Sequence, residues 1–353
     1  MDPRATIGCL VGAAVGDSLG LPYEGLSARR AAKMYPGAPA HHLLPGKGMV
    51  SDDTEHACFT AQALIRSDGD VKVFGRRLAS SLRWWLAGLP AGIGLATLRA
   101  IFKSCIGFPP SRSGVFSAGN GPAMRSAIIG VALGHSPSKM AEFVRCSTRI
   151  THTDPKAFHG ALAVALAAHC AAASASVSPE AFIAQLETAL ATENANEFLG
   201  LVKRAAESAA RHEPVAEFAV SIGSRGGISG YMFHTVPCVL QAWFKHGNDF
   251  AAGLTEIIGA GGDTDTAGAI FGGIAGAAAG KEGIPPAWIS DIVEWPRSVA
   301  WIERLGDALA RSAGDAGGRP GSPGYFVPGI LPRNAFFMVI VLLHGFRRLV
   351  PPY

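Results

Sequence analysis

The chain has 353 residues, 48% of them hydrophobic and only 16% charged, so a large buried core is available. Its formal charge of +4 is spread thinly, with basic pairs at Arg29-Arg30, Arg76-Arg77 and Arg347-Arg348 and no longer cluster. That balance argues against a nucleic-acid partner and leaves room for anionic ligands.

The first ten residues do not read as a signal peptide, because a glycine-punctuated segment bearing Asp17 follows them. Within that segment Gly8, Gly12, Gly16 and Gly20 recur every four residues, and Gly268, Gly272, Gly276 and Gly280 do the same near the far end. Each set forms a bare stripe on one helix face. Glycine inside a helix costs about 1 kcal/mol against alanine, so eight of them need a reason. Close packing of the two helices against each other, or against a shared neighbour, supplies it. A dinucleotide-binding loop does not fit, since the spacing is not GxGxxG and no strand precedes it. Glu24 follows the first stripe.

A loop at 36–48 leads to Ser51-Asp52-Asp53-Thr54, which opens an apolar helix predicted over 54–66. Helices are predicted at 71–86, 157–173, 179–192 and 197–211 from apolar spacing of three to four. Ser178 is the expected N-cap of the helix at 179–192. Loops are expected at 107–122 and 221–230, and strands of period two are scarce. An all-α bundle is the expected fold. Gly261-Gly262-Asp263-Thr264-Asp265-Thr266 is the second acidic segment, again between glycines and a helix.

Helix capping explains one such residue per segment, but each segment carries two carboxylates and two hydroxyls. Converging carboxylates repel, by about 4 kcal/mol for a pair about 4 Å apart at an effective dielectric of about 20. Divalent cations would offset that cost, and these hard oxygen donors suit Mg²⁺, Mn²⁺ or Ca²⁺ better than zinc. An EF-hand fails, because Ala267 and Ile274 stand where its ligands belong.

Six cysteines, at 9, 58, 105, 146, 170 and 238, form no CxxC pair, which excludes a zinc knuckle. Buried free thiols in a reducing, cytoplasmic setting are expected. The apolar stretches 267–280 and 335–343 are short for a membrane span, so no transmembrane segment is expected. Residues 1–314 read as one catalytic domain, and 315–353 as a linker and C-terminal segment. The tail would pack on the domain, mediate dimerisation or touch a membrane surface; packing is preferred.

At these residues the chain resembles the ADP-ribosylglycohydrolase family, which includes dinitrogenase reductase-activating glycohydrolase and the ADP-ribosyl-acceptor hydrolases. Five segments match in order, at 12–24, 51–55, 119–125, 227–237 and 261–276. The resemblance implies a compact orthogonal helical bundle with two Mg²⁺ or Mn²⁺ ions in a cleft. It implies that Ser51, Asp52, Asp53, Asp263, Asp265 and Thr266 are metal ligands, with Ser51 standing where threonine is usual. It places Glu24 beside the metals as a catalytic or substrate-binding carboxylate, with Asp53 and Asp263 also catalytic. Gly119, Asn120 and Gly121 resemble the loop at the ribose and diphosphate, where glycine frees backbone N–H groups for phosphate. His152 falls near the cleft, and Gly227 and Tyr231 resemble a substrate-lining loop whose tyrosine stacks on adenine. The implied activity is removal of ADP-ribose from an ADP-ribosylated protein, most simply from arginine, with ADP-ribose as product. The same motifs would serve an inactive ADP-ribose-binding or structural protein, or a metal-dependent nucleotide phosphohydrolase.

Overall fold

The computed structural model describes residues 1–174, 178–247, 249–312 and 321–352. It is 69% helical, as the all-α expectation requires. The sole sheet among the described residues is a two-residue pair, Leu26–Ser27 antiparallel to Gly261–Gly262.

Local chemistry sets the helix starts. Asp70 caps Val71–Ala87 by accepting from the amides of Lys72 and Val73. Asp154 caps Pro155–Ala173, and Ser178 caps Pro179–Ala189 as expected. The helix expected at 54–66 begins earlier, as Asp52–Ser67, because Ser51 is its N-cap. Asp52 and Asp53 therefore lie inside its first turn. The loop expected at 107–122 contains one short helix, Pro110–Ser113.

The two glycine-striped helices, Pro3–Gly20 and Thr264–Ala279, pack directly against each other. A β-carbon added at Gly8, Gly12 or Gly16 would lie 2.1, 2.2 or 2.0 Å from the carbonyl oxygen of Gly276, Gly272 or Gly268 respectively. The pairing is antiparallel, so the end of the first helix meets the start of the second. Both are buried almost throughout, and aromatic and aliphatic side chains from the other helices surround them.

Among the described residues, three helices are long and apolar enough to cross a membrane by length and composition: Pro3–Tyr23, Pro155–Ala173 and Val327–Arg347. Protein buries 94% and 78% of the first two, whose small residues serve close packing. The third is only 28% buried. It includes the C-terminal helix Ile330–Arg347, which is longer than the 335–343 run because its polar residues point inward. Arg333 pairs with Glu294, Asn334 donates to the Gly88 carbonyl, and His344 meets the Leu43 carbonyl. The tail thus packs on the domain along one face. The boundary expected at 314 lies outside the described residues.

Candidate active site

The antiparallel glycine helices deliver Glu24 to the acidic segment at Asp263, 239 residues away in sequence. After Gly20 the chain turns through Leu21–Tyr23, and the Gly25 amide donates to the Gly262 carbonyl at 2.7 Å. Leu26 then pairs with Gly262 and Ser27 with Gly261. Both glycines hold positive φ, +71° and +87°, which L side chains resist. Thr264 pins the junction by donating its hydroxyl to the Gly20 carbonyl at 2.8 Å.

The SDDT segment is held from below by Asp17. This fully buried carboxylate accepts from the Ser51 amide at 2.9 Å, the Thr54 amide at 3.2 Å and the Thr54 hydroxyl at 2.5 Å. Ser51 donates its hydroxyl to Asp53 Oδ2 at 3.1 Å, and Thr266 donates to the same oxygen at 3.2 Å. The two acidic segments therefore meet. Asp263 Oδ2 accepts from Asn120 Nδ2 at 2.6 Å, which ties the Gly119–Gly121 loop to the same place.

The cost of this assembly falls on the carboxyl groups. Burial, then neighbouring carboxylates, pushes Asp52, Asp53 and Asp265 well above the usual carboxylate range. Burial pushes Asp17 up to about 6 against its hydrogen bonds. Glu24 reaches solvent at the rim, yet protein on most sides raises it first and Asp263 second, while Arg348 opposes them.

Among the described residues, no three His, Cys, Asp or Glu side chains converge closely enough to enclose an ion as they stand. The donor set still fits a hard divalent cation, being carboxylate and hydroxyl oxygens alone. Asp53 Oδ1 is buried with no hydrogen-bond partner, and a cation satisfies such an orphaned oxygen.

The predicted substrate loops lie together. The Asn120 amide donates to the Gly230 carbonyl at 3.0 Å, and Gly119 bridges to Tyr231. Added β-carbons at Gly119 and Gly121 would lie 3.1 Å from His152 Nε2 and 3.3 Å from its Cε1, so both glycines make room for this ring. Arg125, wholly buried, donates Nη2 to Thr151 Oγ1 at 2.7 Å, and that oxygen lies 2.9 Å from His152 Nδ1. With Arg125 able only to donate, the threonine proton goes to Nδ1, its acceptor among the described hydrogen bonds. The ring is then neutral with its proton on Nε2; burial and Arg125 hold its pKa down at about 3.

Two expected residues have prior engagements. Gly227 has φ +102°, and a β-carbon there would lie 2.4 Å from the Gly261 backbone, so its glycine serves the scaffold. Tyr231 accepts from Lys156 Nζ at 2.9 Å and borders a cavity of about 410 Å³ with Phe233, His234 and Glu197. Sequence reasoning passed over Asp17, Arg125 and Thr151. The one signal for Asp17 was a lone carboxylate in an apolar, glycine-striped helix.

The sequence profile of the family described as ADP-ribosylglycohydrolase matches residues 3–318. The chain belongs to the ADP-ribosylglycohydrolase family. It is 28% identical to the ADP-ribosyl-[dinitrogen reductase] glycohydrolase of Rhodospirillum rubrum, over 87% of this chain and 96% of that protein. It is 26% identical to the ADP-ribosylhydrolase ARH3 of Gallus gallus, over 81% of this chain and 88% of that one. A solved structure titled ADP-ribosylglycohydrolase-related protein complex superposes with a TM-score of 0.64 at 28% identity, covering 88% of this chain and 99% of its own. The protein is an ADP-ribosyl hydrolase, cleaving a glycosidic bond.

Proposed function

We propose that this ADP-ribosylglycohydrolase is metal-dependent and releases ADP-ribose from arginine side chains of modified proteins. Ser51, Asp52, Asp53, Asp263, Asp265 and Thr266 are the residues that would hold two divalent cations, Mg²⁺ or Mn²⁺. When bound, the cations supply positive charge against the carboxylates and against the ribose hydroxyls beside the anomeric carbon.

The protein's own groups do the rest in this reading. The loop of Gly119, Asn120 and Gly121 borders the ribose and diphosphate; the Asn120 and Gly119 amides are held by the Gly230 carbonyl and the Ser117 hydroxyl, which leaves the Gly121 backbone N–H for the phosphate. His152 donates from Nε2 into the cleft and takes up no proton near neutral pH. Glu24, at the rim beside Asp263, accepts the proton of the water that attacks the anomeric carbon. Its carboxylate also suits a cationic guanidinium as the acceptor over a neutral hydroxyl. Tyr231 offers a ring face to adenine.

The observation that carries the reading is the buried, unpartnered Oδ1 of Asp53 at the junction of the two acidic segments. The acceptor is tested by offering proteins ADP-ribosylated on arginine and on serine, with free ADP-ribose read by mass spectrometry. Release from arginine, and little from serine, is expected. Release from serine alone would contradict the acceptor assignment.

A further inference from the structure

The C-terminal helix Ile330–Arg347 is amphipathic in the inverted sense. Its polar side chains Arg333, Asn334 and His344, and Arg348 just beyond it, turn toward the protein. Arg333 pairs with buried Glu294, Asn334 with the Gly88 carbonyl, His344 with the Leu43 carbonyl and Arg348 with the Pro22 carbonyl. The outward face carries Leu331, Phe336, Val339, Leu342, Leu343 and Phe346, with Leu343 62% and Phe346 65% exposed. At 18 residues it is about 27 Å long. Trp295, whose ring lies 5.5 Å from that of Phe336, and exposed Phe326 and Val327 widen it. Monomeric soluble proteins rarely leave so continuous an apolar strip in water.

Charge identifies the occupant. Arg347 is exposed at the end of the strip, and Arg30 donates to the Arg348 and Pro352 carbonyls, which brings the Arg29-Arg30 pair to the same end. No Asp or Glu follows Asp315 in the sequence. A protein partner would need about one hydrogen bond per 100–200 Å² of interface, and the outward face of the helix has no polar side chain before Arg347. A bilayer asks for none, and its anionic headgroups match an apolar strip that ends in arginines.

We propose that the outward face of the C-terminal helix seats in the surface of an anionic bilayer, with the helix lying along the membrane rather than through it. The inward polar residues fix its orientation by holding the opposite face to the domain.

The test is co-sedimentation of the full chain with phosphatidylcholine vesicles and with vesicles that also contain phosphatidylserine, alongside light-scattering mass in their absence. Binding is expected to favour the phosphatidylserine vesicles. Leu342→Ser with Phe346→Ser should abolish it while circular dichroism is unchanged, since both side chains face outward. Arg347→Ala should weaken binding to the anionic vesicles about fivefold, the factor for one basic residue near such a surface. No sedimentation with either vesicle overturns the proposal, as does binding that survives the double substitution. A dimer in solution that the same double substitution dissociates also overturns it, and assigns the face to a second copy.

Discussion

Thr266 donates its hydroxyl to Oδ2 of Asp53 at 3.2 Å, joining segments 213 positions apart in sequence. Ser51 supplies a second donor to that oxygen, while Oδ1 has no partner. Asp53→Asn keeps the shape and removes the charge. It should cut hydrolysis by more than the roughly 10- to 100-fold typical of outer-shell changes at metal sites. Circular dichroism should show the helical fold intact, and Asp263→Ala should behave likewise.

Asp17 supports the SDDT segment without reaching the cleft surface. Asp17→Ala leaves the Ser51 and Thr54 donors unpaired in a dry site and should cost about 2–4 kcal/mol in urea unfolding. It also has a pH signature. The folded carboxyl titrates at about 6, against 3.8 ordinarily. Between those values the folded state keeps a proton that the unfolded chain has released, so stability falls as pH rises through that window. Without Asp17 that decline should be shallower, while the histidines held below their usual pKa act in the opposite sense in both proteins.

The glycine stripes separate packing from propensity. Gly12→Ala sets a methyl against the Gly272 carbonyl, which is backbone and cannot turn aside. Its cost should exceed the about 1–3 kcal/mol of ordinary overpacking. Gly200→Ala, in the helix Asn196–Ala210 with nothing within 4 Å, should instead stabilise by about 0.5–1 kcal/mol. Thermal unfolding of the two variants checks both signs.

These contrasts show what the chain made readable. A four-residue glycine repeat has one physical use in a helix, so the close pairing followed from spacing. Two doubled acidic segments at helix starts pointed to one site because capping needs far less. Asp17 stayed hidden, since a single carboxylate forms no pattern until the SDDT segment folds onto it. Gly227 was read for its place in a substrate-lining loop, and the demand that the Gly261 backbone makes on it appears only once the chain is folded. The C-terminal helix was underestimated because Arg333, Asn334 and His344 break its apolar run, although each points inward.

The path from Arg125 through Thr151 to His152 fixes which ring nitrogen carries the proton. Thr151→Val keeps the volume and removes the hydroxyl. The rate should fall about tenfold, the worth of one oriented hydrogen bond, and ¹⁵N spectra of His152 should show mixed tautomers. Thr151→Ser should restore both. Because the ring titrates at about 3, the wild-type pH–rate profile should have no limb from His152 above pH 5.

The most direct measurement is release of free ADP-ribose from an arginine-ADP-ribosylated protein after the enzyme is stripped with a chelator, then again after Mg²⁺ or Mn²⁺ is returned. Release should stop on stripping and recover with the cation in the wild type, and fail to recover in Asp53→Asn. An undiminished rate in the stripped wild-type enzyme would contradict metal-dependent hydrolysis.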